Sequence, residues 1–347
     1  MERLADPALS GHYHFWLAYN HGNLGEPVLE AEHARRAVDE AARGGDPKVM
    51  GKASFVLARE AYYVGQPRRG VTQGRQAVAF LEPTGERWWL GHAHWILALN
   101  LYHLGDFGPA LQELERTREI GDAIGDSRLQ THAAWATGWV HALAGDHRLG
   151  IETCQRGLEL TSDLLTRAVV HGFLGAAYRE AGDAGQAITR LEESIRELGV
   201  LVGAGASRYR QLSAYFSAII SEAYLLKGQL AEAGQCARSA LEVATWGVSL
   251  GYAQRALGRV AEASGDLAEA RRCLEQALAT FESIEARYQT ARTRIALAEV
   301  SHRHGTHDDA AAHVREAHAL FKLLRIPKYV AHCEGLARDL AVDLREG

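Results

Sequence analysis

Apolar residues recur along this chain at three- and four-residue steps. Leu257, Ala261, Leu267, Ala270, Leu274, Ala277 and Leu278 form one such run. That spacing lines one face of each of two successive helices. Between such stretches the pattern breaks at glycine. The breaks fall at Gly25, Gly65, Gly105, Gly145, Gly182, Gly228, Gly265 and Gly305, in steps of 40, 40, 40, 37, 46, 37 and 40 residues. Glycine tolerates the left-handed backbone that ends a helix. Asp106, Asp146, Asp183 and Asp266 follow directly and are placed to cap the next helix. Pro27 and Pro67 lie two residues past their glycines, where the first turn of a helix accepts proline. Gly44-Gly45-Asp46, Pro83-Thr84-Gly85 and Gly125-Asp126 mark the joints between hairpins.

The pattern predicts an all-α, right-handed superhelical solenoid of eight helix-turn-helix hairpins, forming one domain over residues 1–347. The hairpins are expected at about 9–44, 47–83, 86–124, 127–163, 164–199, 208–247, 248–285 and 287–325. Pro327 stops the last of them, and Val330, Cys333, Leu336 and Leu340 predict a capping helix over about 328–343. The 46-residue step holds Gly199, Gly203 and Gly205, and reads as a longer loop from Leu198 to Arg210.

The segment Leu174-Gly175-Ala176-Ala177-Tyr178, Gly182-Asp183, Ala187 and Leu191 resembles the tetratricopeptide consensus. Leu257-Gly258, Ala261, Gly265-Asp266, Ala270, Leu274 and Ala277 repeat it. Seven residues before each turn glycine stands a small residue: Ala18, Ala58, Ala98, Gly138, Gly175, Ser221, Gly258 and Ala298. Twelve after it stand Ala37, Ala77, Thr117, Gly157, Ser194, Ala240, Ala277 and Ala317. The resemblance covers about residues 9–325. The unit is longer than the usual repeat of about 34 residues. Such long repeats are similar to the C-terminal helical regions of MalT-like activators and cyclase–ATPase–tetratricopeptide regulators. In those, the repeats sense a ligand or partner and other domains supply the nucleotide switch. By that resemblance this chain is expected to be part of a longer regulator whose upstream domains lie before Met1.

The resemblance also places a concave groove along the first helix of each hairpin, at 13, 10, 6 and 3 residues before the glycine. Those positions give Phe15, Tyr19, Phe55, Arg59, Tyr62, His92, Trp95, Tyr102, His132, Trp135 and Trp139 in the N-terminal half. The C-terminal half gives Arg255, Arg259 and Arg292 among glutamates. Aromatic and arginine side chains are enriched at binding hot spots. One reading makes these residues a recognition groove, with Trp95, Trp135 and Trp139 as apolar anchors and Arg59 orienting an acidic group. The other packs the rings against each other as core in a tightly wound superhelix. Trp16, Trp88, Trp89 and Trp246 fall outside the groove positions and read as packing.

Composition narrows the function further. Hydrophobic residues make up 47%, and 38 basic against 43 acidic residues give a formal charge of -5. Nucleic-acid binders carry a basic surplus, and no apolar run reaches the length of a membrane span. The four cysteines are far apart, and are expected as reduced thiols of a cytoplasmic protein. Gly203-Ala204-Gly205-Ala206-Ser207 lacks the Lys-Ser/Thr ending of a phosphate loop. The 17 histidines show no convergent metal spacing. Neither an enzyme active site nor a cofactor is expected. The expected function is binding of a peptide, protein segment or small effector, as the sensor of a larger signalling or transcription regulator. The alternative is a stand-alone adaptor that scaffolds a protein complex.

Overall fold

A computed structural model describes residues 6–161, 163–205, 208–245 and 247–344. Among these it contains seventeen α-helices, arranged as consecutive antiparallel pairs and a final single helix. The first four pairs are α1 (Pro7–Leu24) and α2 (Pro27–Gly44), α3 (Pro47–Tyr63) and α4 (Pro67–Leu81), α5 (Arg87–His103) and α6 (Phe107–Ile124), and α7 (Ser127–Ala144) and α8 (His147–Leu160). The next four are α9 (Leu164–Ala181) and α10 (Ala184–Gly203), α11 (Tyr209–Leu226) and α12 (Leu230–Val243), α13 (Gly247–Ala263) and α14 (Leu267–Ser283), and α15 (Arg287–His304) and α16 (His307–Leu323). Helix α17 (Pro327–Asp339) follows. No helix among the described residues is long and apolar enough to cross a membrane.

All eight turn glycines have positive φ, between 71° and 99°. The cap positions follow the sequence, with one exception. Asp146, Asp183 and Asp266 accept the amides of Leu149, Gln186 and Glu269. Asp106 makes no such bond. Its carboxylate instead takes Arg287 Nη2 at 2.7 Å, from a hairpin 181 residues further on. A charged partner across the superhelix replaces the local cap.

The small positions lie where paired helices touch. Ala18, Ala58, Ala98, Ser221 and Ala298 have no exposed surface. A Cβ on Gly138 would lie 2.6 Å from Gly150 O. Ser221 Oγ donates to Ala233 O and Ser194 Oγ to Ala168 O, so even the polar members are satisfied across the seam.

The expected long loop is not a loop over most of its length. Helix α10 runs through Gly199 to Gly203, the longest helix at 20 residues. Leu198 is fully buried and Leu201 packs on the core, so the apolar face continues past the glycines. That burial offsets the cost of about 1 kcal/mol for each helical glycine. Ala206 and Ser207 lie outside the described residues, as does Trp246.

The solenoid winds tightly enough for successive superhelical turns to touch. Arg208 Nη1 donates to Asn23 Oδ1. Phe107 packs on Tyr288, with ring centroids 5.8 Å apart. Lys328 Nζ lies 2.7 Å from His147 Nε2. A Cβ on Gly65 would meet Ile284 Cγ2 at 2.6 Å. The interior of the N-terminal hairpins is therefore occupied by other parts of the same chain.

Candidate binding groove

The rings expected to line an N-terminal groove form a continuous stack through the core. Trp89 sits edge-on to Phe15 and Phe55, at 5.3 and 5.7 Å between centroids. Trp95 stacks on His132 at 4.5 Å, and Trp135 stacks on Phe173 at 4.2 Å. Tyr215 meets Tyr252 at 4.6 Å. Tyr62 and Tyr102 hydroxyls lie 3.1 Å apart, and His103 Nε2 reaches the Tyr102 hydroxyl at 2.9 Å.

This changes the standing of most residues read as groove. Phe15, Phe55, His92, Tyr102, Trp135 and Trp139 are buried. Tyr19, Tyr62, Trp95 and His132 are half-buried among them. Arg59 is buried too, and its guanidinium is held by Glu30 and the Tyr19 carbonyl. Burial keeps the histidines neutral: it pushes His92 down to about 4 and His103 to about 3. The physical reason is the tight superhelix, which brings α9 and α11 against the inner faces of α3 and α5 and leaves a cavity of only about 50 Å³ there, lined by Tyr62, Tyr102, Phe173 and Tyr215. Two of the tryptophans read as packing, Trp88 and Trp89, are half-buried. Trp16 is only partly packed: its ring meets Phe15 and Tyr19, yet it is 52% exposed.

The open groove lies in the C-terminal half, among α9, α11, α13, α15 and α17, with a volume of about 960 Å³. Three expected arginines, Arg255, Arg259 and Arg292, line it. Around them stand Arg179, Arg303 and Lys328, and the carboxylates Glu180, Glu222, Glu262 and Glu299. Six cationic side chains against four carboxylates leave two positive charges in surplus.

The floor is a buried ion network. Arg179 Nη1 lies 3.1 Å from both Glu180 and Glu222. Arg255 Nε reaches Glu222 at 3.2 Å, and its Nη1 donates to Gln289. Arg292 Nη1 donates to Glu180 at 2.9 Å and to the Tyr329 hydroxyl at 2.6 Å. Tyr329 donates in turn to Glu180. Burial would raise the Glu180 carboxyl, but Arg179, Arg292 and the Tyr329 hydroxyl outweigh it and hold the group at about 2. Glu222 is likewise below its ordinary range, burial being overcome by Arg179 and Arg255. Glu262 goes the other way: burial, helped by Glu299, outweighs Arg259 and Arg303 and raises it.

The rim is looser. Arg259 is shared between Glu262 and Glu299. Arg303 is about half exposed and touches only the edge of Glu262 at 3.3 Å. Lys328 and His332 are exposed. Paired floor arginines are fixed in place, whereas rim cations remain available to an incoming anion.

The sequence pattern marks neither Arg179 nor Lys328 as part of a charged site. Arg179 stands three residues before Gly182, at the same groove register as Tyr62 and Tyr102. Lys328 belongs to the capping helix and enters the groove only through the three-dimensional winding. No periodic rule marks it.

Tetratricopeptide repeat models match residues 249–322 and, separately, 91–116 and 168–193. No curated protein matches the sequence. Among solved structures the chain is similar to a Rap protein complexed with Competence and Sporulation Factor, at a TM-score of 0.58 and 14% identity over 82% of this chain and 80% of that one. It is similar to NprR in complex with its cognate peptide NprX, at 0.56 and 14% over 92% and 98%. It is also similar to a signal transduction ATPase with numerous domains, carrying a tetratricopeptide repeat sensor, from Pyrococcus horikoshii, at 0.50 and 15% over 90% of this chain and 47% of that one. The glycine-punctuated helix pairs, the small residues at their seams and these matches make the chain a tetratricopeptide-type repeat protein.

Proposed function

We propose that the chain is a peptide- or protein-binding module whose site is the charged groove around Arg255, Arg259, Arg303 and Lys328. The observation that carries this reading is the groove itself. It is open, about 960 Å³ in volume, and holds two more positive than negative side chains. The preferred ligand is a short acidic segment or a terminal carboxylate, which guanidinium groups recognise with paired hydrogen bonds. A small acidic effector would use the same contacts. The structural likeness to Rap and NprR, each solved with a named factor or peptide, supports the binding role. The likeness to a tetratricopeptide sensor of a signal transduction ATPase supports a place as the sensing or interaction region of a larger regulator.

Fluorescence anisotropy with a labelled aspartate-rich peptide tests the assignment, using the matching asparagine peptide as control. Arg303→Glu and Lys328→Glu alter the exposed rim without touching the buried floor. The aspartate peptide should bind the native protein at least about tenfold more tightly than the control, and each rim variant should remove most of that difference. Equal affinity for both peptides, unchanged by the rim variants, would show that the site lies elsewhere.

A further inference from the structure

Each hairpin after the first presents one stripe of its leading helix to the hairpin before it. Counted back from the turn glycine, the central stripe positions are 12 and 9. They hold Ala53 and Val56, Ala93 and Ile96, Ala133 and Ala136, Val170 and Phe173, Phe216 and Ile219, Ala253 and Ala256, and Thr293 and Ala296. Every one of these side chains is buried. In α1 the same two positions hold Tyr13 and Trp16, 48% and 52% exposed, with Leu9 beside them at 58%. The surface that docks hairpins together elsewhere is thus present on α1, bears its largest apolar side chains, and is covered by no described element.

Two further features identify what covers it. Helix α1 contains no Asp, Glu, Lys or Arg, alone among the helices of the described residues. A two-fold contact sets the side chains nearest its axis beside their own copies, so a charge there would face itself. A charge-free face avoids that repulsion, whereas an ordinary solvated helix carries charges on its outer side. The other end of the solenoid offers no match. Away from the groove, α17 exposes Glu334, Arg338 and Asp339. Stacking that end on α1 would bury charges against an apolar face with nothing to pair them.

We infer that the outer face of α1, centred on Tyr13 and Trp16, docks against the same face of a second copy of this chain in a two-fold dimer. Tyr and Trp are the side chains that most often anchor such contacts. At 18 residues, α1 is roughly 27 Å long, which suits a modest, reversible interface. The dimer leaves the charged groove open at the far end of each copy.

Sedimentation equilibrium on the full 347-residue chain, over concentrations of about 1–100 µM, tests this directly. The native chain should show a monomer–dimer equilibrium. Trp16→Glu and, separately, Tyr13→Ser should each shift it at least about tenfold toward monomer, with helical circular dichroism unchanged. Leu226→Glu, on another exposed apolar residue far along the chain, should leave it intact. Should Trp16→Glu disturb folding, Tyr13→Ser carries the test, since loss of one exposed hydroxyphenyl group leaves the core untouched. A native chain that stays monomeric over that range overturns the proposal. So does a dimer indifferent to both α1 variants.

Discussion

Arg59 and Glu30 form an ion pair in which both side chains are 4% exposed, with Nη2 and Oε1 2.8 Å apart. The pair joins α2 to α3, beneath the Tyr19 ring, whose centroid lies 4.8 Å from the guanidinium carbon. Gly22 lies against it, because any Cβ there would collide with both partners. Arg59 is therefore committed to the fold, its Nε and Nη2 donors held by Glu30 and the Tyr19 carbonyl. Removing one partner of a buried pair strands the other charge and costs about 3–5 kcal/mol. Arg59→Met or Glu30→Leu alone should lower stability by that order in urea unfolding. The double variant should recover most of the loss, since well-packed apolar residues replace such pairs at little cost. Peptide affinity of the folded double variant should match the native value.

The contact between superhelical turns can be isolated with two alanine substitutions. Gly65 and Gly182 have nearly the same backbone, φ 75° and 85°. Alanine at either must adopt left-handed backbone, at about 1–2 kcal/mol. At Gly182 the new Cβ meets nothing within 4 Å, whereas at Gly65 it meets Ile284 Cγ2 at 2.6 Å. Gly65→Ala should therefore cost about 1–3 kcal/mol more than Gly182→Ala, the usual range for overpacking. Small-angle scattering should also show a longer particle for Gly65→Ala. Equal losses at both sites would mean that the turns do not hold each other in solution.

The fold was legible from the sequence because its determinants are local and repeated. Turn glycines, proline starts and small seam residues each act within a few residues of where they stand. The site was only half legible. The same register rule gives Trp135, which is buried against Phe173, and Arg255, which lines the open groove. What no local rule conveys is how tightly the axis winds. With about 180 residues between Asp106 and Arg287, contact depends on the summed rotation of several hairpins. That rotation closes the aromatic half and leaves the arginine half open. Trp16 shows the same limit in reverse: an apolar residue at a buried register position is exposed because no described hairpin precedes it.

Trp135 provides a direct check on the closed half. It stacks on Phe173 and its Nε1 donates to His132. Trp135→Ala should cost about 3–5 kcal/mol, the usual range for removing a large buried ring. At temperatures where the variant remains folded, affinity for the aspartate-rich peptide should be unchanged. A tenfold loss of affinity in the folded variant would return the aromatic half to the binding surface.

Glu180 makes acid stability a readout of the groove floor. Its carboxyl sits at about 2 in the folded protein, against about 4.3 in an unfolded chain. The folded state therefore favours the ionised form, and the stabilisation is fully present above the unfolded value. It amounts to about 3 kcal/mol. It is lost as pH falls from about 4.3 toward about 2. Glu180→Gln should be less stable than the native chain at pH 7. The gap between the two should narrow through that acid window. A gap that persists unchanged at pH 2 would mean that Glu180 acts through packing and not through its charge.

Glu262 should tune ligand binding at milder pH. Its carboxyl is raised above the ordinary carboxylate range, by burial first and by Glu299 second. At neutral pH it is ionised and offsets Arg259 and Arg303. As pH falls through its raised value it takes up a proton, while aspartates on a solvated peptide remain ionised. The positive surplus of the groove then grows from two to three. Affinity for the aspartate-rich peptide should rise between pH 7 and the onset of peptide protonation, by roughly fivefold if one added charge acts at about 1 kcal/mol. Below about pH 4 the peptide loses its own charge and affinity should fall. The folded-state sign is consistent: a raised acid is less costly to keep once protonated, so its protonation stabilises the groove instead of opening it. Glu262→Gln, which lacks the titrating group, should bind more tightly than the native chain at pH 7 and show no rise on mild acidification. An identical pH profile in native and variant proteins would exclude Glu262 as the group that sets it.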